Sequence, residues 1–321
     1  MASDPGNLEL PADADEAVRL PVPDGFAARY RQLLVFKSAD VEEPVDMFFH
    51  RPLAAAFAAL VVGFPITPNQ VTYASLVVGL AASAFLYRAA FLGAASWNYA
   101  VAGLLLFASV ILDCADGQLA RAKGGGSRMG RILDGMVDMF VLLPAWLILG
   151  FGLVRHSGSI WILLGLFAGF TSWARIVIYD RIKSIYLAHT QPSSADGTET
   201  TEALEAELAE LRAQGLSFAY IGMFIYVRVL MRIENRFAPG STHEREAYGP
   251  EERQAFRDRH RSTMRWSSWM GLGTHMLFLY TSIIVATWWY PAMAAVQGLF
   301  ATFFTVLMIA VLVRSRALRA E

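Results

Sequence analysis

Apolar residues in this chain come in blocks. Runs of about 20 residues with few or no charges, long enough for a helix to cross a hydrocarbon layer of about 30 Å, lie near 71–92, 97–112, 132–154, 159–179, 268–288 and 291–313. They predict an all-α integral membrane protein with six transmembrane helices. Ahead of the first run, the apolar stretch Leu53–Phe64 is too short to span and is followed by Pro65 and Pro68. It predicts a helix lying along the membrane interface.

The polar stretches divide the rest. Residues 1–25, rich in Pro, Asp and Glu, lack the basic start and apolar segment of a secretory peptide and suggest a disordered cytoplasmic tail. Residues 26–66 form a juxtamembrane helical segment, 67–186 a membrane core of four spans, and 266–321 the last two spans with a short cytoplasmic end. Between them, 187–265 breaks the membrane pattern as a helical insertion. It opens on the linker HTQPSSADGT and continues as TEALEAELAELRAQ, with a helix start at Thr201 and Leu204, Leu208 and Leu211 at helical spacing. Next, Arg228, Arg232 and Arg236 recur every four residues opposite an apolar face, the pattern of an interfacial helix that meets lipid head groups. A charged helix from about Pro250 to Met264 leads back to the membrane. Thr67 or Asn69 is placed to cap the helix of the first span.

Composition agrees with a membrane protein: 55% of residues are hydrophobic and 17% charged. The net charge of -1 is uninformative, and no nucleic-acid partner is expected. Charge placement is more useful, because 25 of the 27 Lys and Arg fall on one side of the membrane if both termini are cytoplasmic, with only Arg88 and Arg155 opposite. The single Cys114 forms no intrachain disulfide and reads as a small helix residue. None of the six histidines has ligand spacing.

Against this background four aspartates stand out. Asp113 and Asp116 close the second run and Asp134 and Asp138 sit inside the third, joined by DCADGQLARAKGGGSRMGRILDGMVD. Ionised groups are expensive near a bilayer, and four like charges repel. Residues three or four apart share a helix face, and the short loop with Gly124–Gly126 makes the two helices antiparallel neighbours, so all four carboxylates can meet at one cytoplasmic point. A hard divalent cation, Mg2+ or Mn2+, suits such an oxygen cluster and shares its ligands with phosphates. Arg121 is positioned to pair with a phosphate, while Gly117, Ala120 and Gly130 remove bulk where a ligand nears the backbone.

Asp113, Asp116, Gly117, Ala120, Arg121, Gly130, Asp134 and Asp138 fit DxxDGxxAR, eight residues, then GxxxDxxxD. In this the chain resembles the CDP-alcohol phosphotransferase family of membrane enzymes over roughly Pro65–Asp180. The resemblance implies that Asp113, Asp116 and Asp134 hold one or two metal ions that clamp the diphosphate of a CDP-linked donor. It implies that Asp138 is the base and shares in the metal, and that Gly117, Ala120, Arg121 and Gly130 line the cytidine diphosphate site. The element Pro68, Asn69 and Thr72 resembles the family's start of the first span, close to the nucleotide. Members of the family often pair as homodimers.

The expected activity is transfer of a phosphatidyl group from CDP-diacylglycerol to a small alcohol, such as a polyol or an inositol phosphate, with release of CMP. The expected place is a bacterial inner membrane, with the site facing the cytoplasm. The same chemistry with a CDP-choline or CDP-ethanolamine donor and a diacylglycerol acceptor is an alternative. A cation- or proton-coupled transporter is a second, for which the carboxylates would be the ion path. At the end of the fourth span, Arg175, Tyr179 and Arg181 are candidates for an acceptor pocket, against the plainer reading of the basic residues as snorkelling anchors.

Overall fold

The computed structural model describes residues 22–34, 38, 40–124, 128–190, 201–213, 218–225, 227–228 and 249–315. Most of the expected tail, Gly125 and Gly126, much of the linker, Arg232 and Arg236 lie outside the described residues.

The chain turns from interface to membrane at Thr67. Its side chain accepts from the Gln70 amide at 3.3 Å, and the Gln70 side chain accepts from the Thr67 amide at 2.9 Å. This reciprocal cap, with Pro68 at the first helical position, satisfies amides that would otherwise be orphaned. Of the two caps expected, Thr67 is the one used, which leaves Asn69 exposed in the first turn.

The elements run α1 (Phe26–Leu33), a π-helical turn (Asp46–His50), α2 (Arg51–Val61), α3 (Pro68–Phe91), α4 (Trp97–Ala122), α5 (Arg128–Ser157) and α6 (Trp161–Thr190). After them come α7 (Thr201–Ala213), α8 (Phe218–Ile225), α9 (Pro250–Ser267), α10 (Leu272–Val285) and α11 (Tyr290–Arg314). Among the described residues six helices are long and apolar enough to cross a membrane. They are α3, α4, Leu133–Ser157 of α5, α6, the 36-residue stretch Pro250–Val285 that joins α9 to α10, and α11. The molecule is an all-α integral membrane protein. Its charged helix from Pro250 runs to Ser267, a turn of 3-10 helix beyond it reaches Met270, and Leu272 begins the apolar part.

Small residues set the helix spacing, as expected where lipid gives helices little hydrophobic reason to associate. A Cβ on Gly79 of α3 would lie 2.5 Å from Val141 of α5 and 2.9 Å from the Ser109 hydroxyl of α4. One on Gly103 of α4 would lie 2.8 Å from the Tyr280 carbonyl oxygen of α10. The main core fills the space among these helices, with Leu86, Leu106, Val137, Leu279 and Ile283 buried together. A second cluster seats the alanine face of α2 (Ala54, Ala55, Ala58, Ala59) on Ala115 and Leu119 at the end of α4, while Leu53, Leu60 and Phe64 remain exposed.

The segment 40–50 is the part the hydrophobic pattern did not foresee. It straps across three helices at the end where α4 finishes and α5 begins. Asp40, 1% exposed, accepts from Arg257 Nε at 2.6 Å, Arg261 Nε at 2.8 Å and the Tyr186 hydroxyl at 3.1 Å. The Tyr179 hydroxyl donates to the Val41 carbonyl at 2.7 Å. The Glu43 carboxylate accepts from the Gly273 and Thr274 amides, 2.8 and 3.4 Å away, capping α10 where its first amides have no helical partner.

Candidate active site

The end of α4 and the start of α5 bring their carboxylates together, and α4 ends shortly before Gly124, whose φ of 111° only glycine adopts without strain. Lys123, just before it, donates to the carbonyls of Phe64 and Ile66 at 2.9 and 2.8 Å. This ties the α2–α3 connection to the end of α4 and fixes the start of α3 beside the acidic residues.

Asp113, Asp116 and Asp134 each bring a carboxylate oxygen within 4.8 Å of the others. Asp113 and Asp116 share one face of α4, one turn apart, and Asp134 approaches from the second turn of α5. Asp116 is held by the Thr72 hydroxyl, which donates to its Oδ2 across from α3. The bond gives Thr72 a structural partner inside the cluster. By contrast, Oδ1 of Asp113 and Oδ1 of Asp134 are buried without a hydrogen-bond partner. Buried carboxylate oxygens are almost always satisfied, and three converging carboxylates with two vacant oxygens form the hard, anionic oxygen set that Mg2+ or Mn2+ takes. On this test the residues fit a divalent cation.

Asp138 stands outside that triad, one turn further along α5. It lines a cavity of about 180 Å³ with Asp113, Cys114, Val137 and Val141, which α10 closes with Leu272, Gly273 and Met276. Two more carboxylates open into the same space, Glu43 and Asp46, together with Ser75 and Ser109. Sequence reasoning missed them because nothing in the spacing of 40–50 ties that segment to the acidic helices. The nearest local signal was the four-residue step from Asp46 to His50, where His50 Nδ1 donates to Asp46 Oδ1 at 2.8 Å. Burial, and after it the charge of Asp46, pushes the Glu43 carboxyl well above the usual glutamate range. Burial also acts to raise Asp40, but the hydrogen bond and charge of Arg257, with help from Tyr186 and Arg261, hold it below the usual aspartate value.

The remaining motif residues take flanking places. Gly117 and Ala120 are half-buried and Arg121 is exposed at the end of α4. A Cβ on Gly117 would meet only the Arg121 guanidinium, at 3.8 Å, so space beside the backbone is open there. Gly130 is the third residue of α5. Asn69 and Thr72 lie one turn apart at the start of α3, of which only Thr72 reaches the carboxylates.

The three residues expected around an acceptor do not meet at this cavity. Arg175 is fully buried between α6, α10 and α11. Its Nε donates to His275 Nε2 at 3.2 Å, Nη1 to the Ala301 carbonyl at 3.2 Å, and Nη2 to the Ser172 hydroxyl at 2.8 Å, and it stacks on the Phe300 ring at 4.9 Å. Every nitrogen is used, so this guanidinium ties helices together instead of facing a ligand. Tyr179 is likewise spent on Val41, and Arg181 is half-buried two residues further along α6.

Comparison with known proteins agrees with this geometry. Over 103 residues the chain is 36% identical to the archaetidylinositol phosphate synthase of Pyrococcus horikoshii, covering 31% of this chain and 50% of that protein. It is 36% identical over 75 residues to the CDP-diacylglycerol–inositol 3-phosphatidyltransferase of Drosophila melanogaster, covering 23% of this chain and 30% of that one. It is 34% identical over 140 residues to the bifunctional IPC transferase and DIPP synthase of Archaeoglobus fulgidus, covering 42% and 24%. The chain thus spans half the length of the first of these relatives and under a third of the other two. The family described as CDP-alcohol phosphatidyltransferase matches residues 65–231, which take in the whole acidic motif, and the chain belongs to that family of membrane transferases of phospholipid biosynthesis.

Proposed function

We propose that the protein transfers the phosphatidyl group of CDP-diacylglycerol to the hydroxyl of a small polyol, releasing CMP, at a site that faces the cytoplasm of a bacterial inner membrane. One observation carries the reading: the triad Asp113, Asp116 and Asp134, with vacant buried oxygens, sits beside a cavity into which Asp138 opens. The relatives' names support CDP-diacylglycerol as donor and an inositol as acceptor. The placement of 25 of 27 basic residues on one side supports the orientation.

The chemistry follows from the positions. Asp138 accepts the proton of the acceptor hydroxyl, and the freed oxygen pair attacks the phosphorus distal to cytidine. The bond from that phosphorus to the bridging oxygen breaks, and the oxygen leaves with its electron pair as part of CMP. Asp113, Asp116 and Asp134 would hold a divalent ion, which would supply positive charge to the diphosphate. Thr72 holds Asp116 in its orientation, Arg121 offers a cation at the mouth of the site, and Gly117 and Ala120 leave room for the nucleotide. Asp138, set apart from the triad, is free to carry a proton while the other three hold charge.

CMP release from CDP-diacylglycerol by the purified chain in detergent, with Mg2+ or Mn2+ and an alcohol, tests the reading. Release that disappears in Asp138→Asn supports it. Release that is untouched by Asp138→Asn, or ion flux in liposomes with no CMP formed, sinks it.

A further inference from the structure

The names of the relatives carry inositol both with and without a further phosphate, and the wall of the cavity beside Asp138 bears on which kind of alcohol this chain takes. Among the described residues that line it there is no Lys, Arg or His. Of the cations nearby, Arg51 pairs with Glu42 at 2.9 Å and Arg175 is consumed by α10 and α11, while Lys183 lies over the Tyr179 ring at 5.6 Å and its charge acts on Glu43.

What does line the cavity accepts hydrogen bonds. The Ser75 hydroxyl donates to the Thr72 carbonyl at 2.7 Å and the Ser109 hydroxyl to the Ser75 carbonyl at 2.8 Å, so both present lone pairs to any further partner. The Gly273 amide is spent on Glu43. Asp46 is fixed by His50, which is fully buried and bonded in turn to the Tyr280 hydroxyl at 3.2 Å, so its carboxylate has little freedom to turn away. Asp46 is also close enough to Asp138 for their charges to act on each other. The space is about 180 Å³.

A phosphate monoester brings close to two negative charges and only acceptor oxygens at neutral pH. Against the serine acceptors and the fixed Asp46 carboxylate it meets repulsion and desolvation with little donor capacity in return. An alcohol with several O–H or N–H groups meets the complementary surface. Resting on the transferase reading, we propose that this cavity is the acceptor subsite and that Asp46 restricts it to a small, donor-rich alcohol that carries no phosphate.

The test offers the full-length chain CDP-diacylglycerol with Mn2+ and, in parallel, inositol, glycerol, ethanolamine, inositol 1-phosphate and glycerol 3-phosphate, reading CMP release. At least one unphosphorylated alcohol is expected to react roughly tenfold or more faster than either phosphate ester, and Asp46→Asn to reduce that ratio to about threefold or less. Equal or faster reaction of a phosphate ester overturns the acceptor assignment and leaves the transferase reading standing. A ratio unchanged in Asp46→Asn overturns the part given to Asp46. No CMP from any pairing overturns both readings. Should Asp46→Asn fail to fold, the ratio in the unmodified chain decides.

Discussion

Two buried acidic regions of this protein use the same carboxylate group and end in opposite states. In the strap, Asp40 has both oxygens filled by Arg257, Arg261 and Tyr186, and Glu43 caps a helix. In the α4–α5 site, Asp113 and Asp134 each keep a buried oxygen with no partner and lie against other carboxylates. The first arrangement stabilises the fold as it stands. The second leaves a local deficit that a divalent cation would relieve, and the contrast shows that burial alone does not leave a carboxylate unsatisfied.

The comparison can be broken by substitution. Asp138→Asn is expected to lower CMP release about 10²- to 10⁴-fold, the range for loss of a general base, while the strap variant Asp40→Asn retains activity in proportion to the protein that stays folded. Loss of folding is the next largest effect. Asp40→Asn removes charge-assisted hydrogen bonds worth about 1.5–3 kcal/mol, reduced somewhat because Arg257 and Arg261 are partly exposed, and it should lower the melting temperature with or without metal.

Asp113→Asn should do the reverse. Without metal it relieves repulsion, and the melting temperature in a chelator is expected to hold or rise. Saturating Mn2+, which at a hundredfold excess over its dissociation constant adds about 2.7 kcal/mol, should stabilise the unmodified chain and stabilise this variant by less than half as much. Identical Mn2+ responses in the two proteins would falsify the metal assignment. A smaller change tests the bond from α3: Thr72→Val should weaken Mn2+ binding about tenfold, in the range for loss of a group that orients a ligand.

Acid and alkali sharpen the same contrast. Asp40 is held below the ordinary aspartate value of 3.8, so its contribution to stability is complete above that value and is lost as pH falls through the lower folded value. Glu43 is raised above the ordinary 4.5, so its contribution is complete below 4.5 and is lost as pH rises through the higher folded value. In a profile of melting temperature against pH, Asp40→Asn should flatten the acid limb and Glu43→Gln the alkaline limb.

Much of the site was legible in order because it is local. Asp113 to Arg121 lie on one helix and Gly130 to Asp138 on the next, joined by a short connection, while α3 packs against both. Helical periodicity then fixes which residues face together. Arg175 shows where that logic ended: a cation deep in a span is equally suited to a ligand or to neighbouring carbonyls, and only the positions of His275, Ala301 and Ser172 decide between them.

The sequence by itself determined six apolar helices and the acidic residues that α4 and α5 bring together, because helix period and bilayer thickness constrain residues close in the chain. Tertiary structure alone decided that Asp138 stands apart from the triad, that Thr72 bonds Asp116, and that Glu43 and Asp46 close the cavity from more than 60 residues away. Those contacts join segments whose order in the chain places no limit on their distance in space. Packing of the strap against α6, α9 and α10 is what brings them to the site.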